Sequence, residues 1–139
     1  MAGVTAAMTA CGSDSTTPEV VDLTGTWDLN AQAISQSGLT CQWARVQLSL
    51  TQSGETVSGS YSGGARTCVF QGQTETVKLD TGQIHAGMLN GSSISFVFGP
   101  FTMAGTFGAK AMGGTISGAF TSEGLNQSDF LAGDWTAER

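Results

Sequence analysis

The residues of this chain with chemistry to offer are few: three cysteines, one histidine and scattered carboxylates. His85 lies in QIHAG, in a strand-like stretch, and spacing puts no serine or aspartate beside it. It reads as a surface or hairpin histidine rather than a general base. Asp28 and Asp134 each adjoin a tryptophan, and alternation turns both outward, so no carboxylate pair forms. The glycine-rich AKAMGG lacks the lysine–threonine context of a phosphate loop. A single histidine and the lack of any C-x-x-C leave no metal-ligand set. The expectation is a protein that is not an enzyme and holds neither metal nor cofactor.

The odd cysteine count needs an explanation. Residues Met8-Thr9-Ala10-Cys11 resemble a bacterial lipobox, where small residues precede a cysteine that becomes lipidated and N-terminal. That resemblance implies a residual signal segment over 1–11 and membrane attachment through lipidated Cys11. It also implies a place in the bacterial cell envelope or on the extracellular surface. Residues 12–21 are mostly short-chained, with a proline among them, and read as a flexible linker. The alternative is an ordinary N-terminus with a stray cysteine. With Cys11 lipidated, Cys41 and Cys68 remain as a pair. A bridge between them closes 28 residues and contributes about 3–4 kcal/mol through loop-closure entropy. It implies an oxidising compartment; the alternative is two buried thiols in a cytosolic protein.

The 139-residue length suits one domain, and 40% apolar residues give it a core to build. Only 12% of residues are charged, glycine is abundant, and no window carries the i, i+3, i+4, i+7 spacing of an amphipathic helix. This is the composition of an all-β protein with tight turns. A net charge of −6 repels phosphate backbones, so nucleic acid is not expected as a partner.

Period-two alternation runs through almost everything after residue 22. It predicts strands over 22–29, 43–52, 55–63, 66–71, 82–89, 92–98, 101–108, 112–121 and 129–138. Antiparallel closure of first strand on last needs an even number. Either 66–71 is irregular or a tenth strand hides in TETVKLD, 74–80. Most connections are of hairpin length, with Asn90-Gly91 the clearest type I′ signal; the longer ones are 30–42 and 72–81. Each strand has one apolar face, as a sheet wrapped around its own core requires. The predicted fold is an antiparallel up-and-down β-barrel of eight to ten strands over 22–139.

One pattern recurs five times: LTGTW, VSGSY, MAGTF, ISGAF and LAGDW, each apolar, small or polar, glycine, small or polar, aromatic, with one aspartate variant. The glycine points inward between two apolar partners. Two readings stand. The glycines permit the sharp coiling of a small barrel, or they leave a central void for a small ligand. On the second reading Gly59, Gly105 and Gly118 make room in a mid-height cavity bordered by Tyr61, Phe96, Met103, Phe107 and Ile116.

Gly25-Thr26-Trp27 opens the first strand, and Arg139 lies four residues past Trp135 on the same face. Here the chain resembles the calycin superfamily, the lipocalins and avidins, whose members begin with a Gly-x-Trp strand. The resemblance implies that Trp27, Trp135 and Arg139 gather where first strand meets last, with Arg139 across a tryptophan. No tryptophan lies between Trp43 and Trp135, so the biotin pocket of avidins is not carried over. The expected function is a lipid-anchored barrel with a small hydrophobic ligand inside. The alternative is a structural or surface-interaction lipoprotein with a filled barrel.

Overall fold

The computed structural model describes residues 21–139; Cys11, the lipobox and all of the expected linker but Val21 lie outside the described residues. The described chain is all β. Its strands are β1 (Gly25–Ile34), β2 (Thr40–Ser53), β3 (Thr56–Ser62), β4 (Ala65–Phe70), β5 (Gln73–Lys78), β6 (Gly82–Asn90), β7 (Ser93–Phe98), β8 (Phe101–Phe107), β9 (Ala111–Ser122) and β10 (Gln127–Glu138). Eight close an antiparallel barrel in the order β1-β2-β3-β6-β7-β8-β9-β10, with β10 returning to β1. The remaining two, β4 and β5, form a hairpin inserted between β3 and β6. That hairpin pairs with the first residues of β2, Thr40 to Ala44.

Alternation places the core. Leu29, Val46, Leu48, Ile94, Phe96, Met103, Ile116 and Leu131 all point inward and are buried, while Asp28 and Asp134 face out. The turns follow glycine. Gly54, Gly91 and Gly99 each take a left-handed φ at the first central position of a two-residue turn, the type II′ pattern. The type I′ turn expected on Asn90-Gly91 is therefore displaced by one residue. Asn90 pairs with Ser93, and only Gly91 carries positive φ. The type I′ pattern occurs instead at Gln71-Gly72, positive at both centres, between β4 and β5.

Two expected connections are shorter than predicted. β1 and β2 continue past the 30–42 loop, which contracts to residues 35–39 and puts Cys41 inside β2. The 72–81 connection contains β5, the hidden tenth strand. Cys41 and Cys68 face each other across the β2–β4 ladder and are joined by a disulfide, both fully buried. The bridge thus ties the inserted hairpin to the barrel wall.

The repeated glycines are filled by neighbouring backbone. A Cβ on Gly59 would run into the Ser49 carbonyl oxygen, one on Gly105 into that of Gly113, and one on Gly118 into that of Pro100. Gly114 and Gly133 meet the carbonyls of Ala104 and Gln32 in the same way. Strands in a tightly coiled barrel approach so closely that no side chain fits between them. The space assigned to a cavity at Gly59, Gly105 and Gly118 is taken by the adjoining strands, and the curvature reading accounts for these positions.

Candidate functional site

The barrel has two dissimilar ends. The first holds the chain's entry and its last residue. Glu138 pairs with Asp28, so Arg139 arrives beside Trp27. Its guanidinium carbon lies 4.5 Å from the centre of the Trp27 ring. The Arg139 Nε donates to the Ala109 carbonyl at 2.8 Å, and its terminal nitrogens donate to the carbonyls of Thr24 at 2.9 Å and Asp22 at 2.7 Å. Gly25 has a φ of 139°, and a Cβ there would stand 3.4 Å from Arg139 Nη1, so the glycine leaves the arginine its place. Trp27 Nε1 donates to the Leu23 carbonyl at 2.9 Å, folding Leu23 beneath the barrel as a buried plug. Trp135 does not join this cluster. Its partner is Ala31, four residues along β1 from Trp27, about 13 Å at strand rise. There it packs edge-on against Phe96 at 5.4 Å.

The second end carries the β4–β5 hairpin. Alternation gives the hairpin an inward face of Arg66, Cys68 and Phe70 on one strand and Glu75 and Val77 on the other. Glu75 fastens it across the barrel end. Ser122 Oγ donates to Oε1 at 2.6 Å, and the Gly124 backbone N–H donates to Oε2 at 2.8 Å. Arg66 Nη2 lies 3.5 Å from Oε1. The Ser122 hydroxyl above all, then the Gly124 amide and the Arg66 charge, hold the Glu75 carboxyl below its ordinary pKa against the opposing effect of burial.

Under the hairpin the rings converge. Trp43 meets Phe101 edge-on at 5.0 Å and Phe120 at 6.5 Å, while Phe101 and Phe120 stack at 5.8 Å. Tyr61 lies edge-on to Phe98 at 4.6 Å. Its ring occupies the space over Gly82, where any Cβ would collide with it. The Arg66 guanidinium carbon sits 4.7 Å above the Phe120 ring. These side chains, with Leu79, Gly99 and Pro100, line a cavity of about 70 Å³. Arg66 is the one charged side chain among the residues that line it.

No known protein family, curated protein or solved structure matches this chain.

The five residues expected to border one cavity are distributed along the barrel. Tyr61 is at the hairpin end. Phe107 is at the Arg139 end, in a cleft shared with Val21, Gln52, Glu55 and Leu89. Between them Met103 and Ile116 pair across β8 and β9 with no exposure, and Phe96 leans on Trp135. Inward alternation shows which face a residue takes but not its height. The residues missed at the hairpin end are Trp43, Arg66, Glu75, Phe98, Phe101 and Phe120. One signal for Arg66 was present: it shares the period-two face of Cys68 and Phe70, an unusual place for a lone arginine. His85 is exposed on β6, where the strand bulges around a left-handed Ala86.

Proposed function

We propose that this chain is a calycin-like binding protein, exported and lipid-anchored through Cys11 in a bacterial cell envelope. Its small, mostly apolar ligand is taken at the hairpin end of the barrel. The observation that carries this reading is the aromatic cavity under the β4–β5 hairpin, lined by Trp43, Tyr61, Phe98, Phe101 and Phe120 beside Arg66. The Arg139–Trp27 contact supports the calycin likeness, because it places the Gly-x-Trp strand at the plugged end. The buried Cys41–Cys68 bridge supports an oxidising compartment. Trp43 is a built-in reporter. Titration of the full chain with small alcohols, amides and acids of two to six carbons should change its fluorescence saturably, and Leu79→Phe, which narrows the cavity, should weaken the change. A flat response to every compound in the series overturns the reading.

A second reading rests on the outer face. Val69 and Ile34 both pair with Thr40, Ile34 pairs with Ala132, and Phe130 lies two residues from Ala132. Val69, Ile34, Ala132 and Phe130 form an exposed apolar row on three strands, interrupted by Thr40 on β2, with Phe130 at 64% and Ile34 at 54% exposure. Such a row suits a surface-interaction protein, and sedimentation of the wild type against Phe130→Ser tests it: a difference in association favours this reading, and identical monomers count against it.

A further inference from the structure

Resting on that reading of the hairpin end, we infer that its ligand is a short-chain carboxylate, bound head-first by Arg66 with its tail among the rings. Arg66 carries an unmet donor. Arg66 is mostly buried at 17% side-chain exposure, and its Nε is shielded from water with no hydrogen-bond partner. A buried guanidinium N–H is normally satisfied; no water-sized space lies beside this one, so an acceptor in the cavity that Arg66 lines meets it only as the guanidinium turns toward that cavity. Glu75 does not fill the role. It reaches only Nη2, at 3.5 Å, and its oxygens are already engaged by Ser122 and Gly124.

The guanidinium edge presents parallel N–H groups that match the two oxygens of a carboxylate. The Phe120 ring beneath it and the neighbouring Trp43 and Phe101 exclude water, which strengthens a charge-assisted bond. Tyr61 belongs to the same lining, its hydroxyl lying beside Gly82 and Gly99. The Glu75 carboxylate beside Arg66 opposes a dianion such as phosphate more than a monoanion. Size sets the tail. The cavity of about 70 Å³ is roughly half the ~150 Å³ that admits benzene in an apolar interior. It suits a chain of about two to four carbons better than a ring.

The test titrates the full chain, at matched ionic strength, with butyrate, its neutral isostere butyramide, and inorganic phosphate. Calorimetry reads affinity, and proton–nitrogen NMR reads the Arg66 Nε–H resonance. Butyrate is expected to bind at least tenfold tighter than butyramide and to shift that resonance downfield, with phosphate well behind both effects. Arg66→Met should erase the preference for butyrate while butyramide still binds, and Arg66→Lys should restore part of it. Equal binding of butyrate and butyramide overturns the inference but leaves the apolar site standing. A preference that survives in Arg66→Met also overturns it, as does phosphate matching butyrate at the Nε–H. Binding of none of the three overturns both the inference and the site. Should Arg66→Met fail to fold, the wild-type affinities and the Nε–H shift decide the matter alone.

Discussion

Replacing Gly105 with alanine separates the two roles a barrel glycine can play, because they predict opposite signs. In an open interior the added methyl would be tolerated, and the loss of unfolded-chain freedom would stabilise the protein by about 0.4–1 kcal/mol. In this barrel the new Cβ would overlap the Gly113 carbonyl oxygen, lie 2.6 Å from the Gly113 carbonyl carbon and 2.9 Å from the Gly114 Cα. Ordinary carbon–carbon contact is about 3.5–4.0 Å, so β8 and β9 must part locally by roughly 1 Å. The colliding atoms are backbone in a paired ladder, so no side-chain rotation relieves them. Overpacking of this kind costs about 2–3 kcal/mol. For a domain of this size that lowers Tm by roughly 6–15 °C. Gly108→Ala is the control, since its Cβ would meet only the Ala111 carbonyl oxygen at an ordinary 3.5 Å. Thermal unfolding followed by circular dichroism measures both variants. A Gly105→Ala protein as stable as wild type, or more so, refutes the close-approach argument and reopens the central void.

Removing the bridge with Cys41→Ala and Cys68→Ala together should cost about 3–4 kcal/mol; denaturant unfolding of the double variant against the oxidised wild type checks this, and equal midpoints contradict it. Arg139→Ala should cost about 1–2 kcal/mol, from the lost ring contact and the carbonyls of Asp22, Thr24 and Ala109 left to water; an unchanged melting temperature counts against the clasp. Glu75 supplies a pH dependence. Its folded pKa lies below its ordinary value, so its contribution is complete above about pH 4.5 and is lost as pH falls through the lowered value. Stability between pH 5 and 3 should therefore fall less steeply in Glu75→Gln than in wild type, and parallel curves would rule out the carboxylate as the fastener. Gly124→Ala should release the same contact at neutral pH, because its Cβ would collide with Glu75; unaltered hydrogen exchange in β4 and β5 would argue otherwise.

Much of the architecture was legible in the chain because a barrel strand is a local pattern. Alternation marked the inward face of every barrel strand but β6, where the bulge at Ala86 breaks the period, and Leu23, Trp27, Leu48, Met103, Ile116 and Leu131 are buried as that face requires. Cys41 and Cys68 were left as a pair once the lipobox resemblance set Cys11 aside. Arg139 could be placed on the face of Trp135, because an even step along a strand preserves the face; that it covers Trp27 was what the calycin resemblance implied.

Position along the barrel was another matter. Tyr61, Phe96 and Phe107 share an inward face yet stand at different heights, since the stagger between strands sets height and no single strand encodes that stagger. Trp135 is separated from Trp27 for the same reason. The role of Gly59, Gly105 and Gly118 depended on what lies opposite each glycine, and that proved to be the carbonyl of a strand paired through the sheet. The β5 strand stayed ambiguous because Thr74, Glu75, Thr76 and Val77 carry too little apolar content to declare themselves. The hairpin folds over because Cys68 reaches Cys41 and Glu75 reaches Ser122, partners 27 and 47 residues away. The sequence alone determined which faces are apolar and which residues can turn. Tertiary structure decided which of those faces meet, and so set Arg66 without a partner for its Nε among the rings of the barrel mouth, because long-range register is fixed only when the sheet closes on itself.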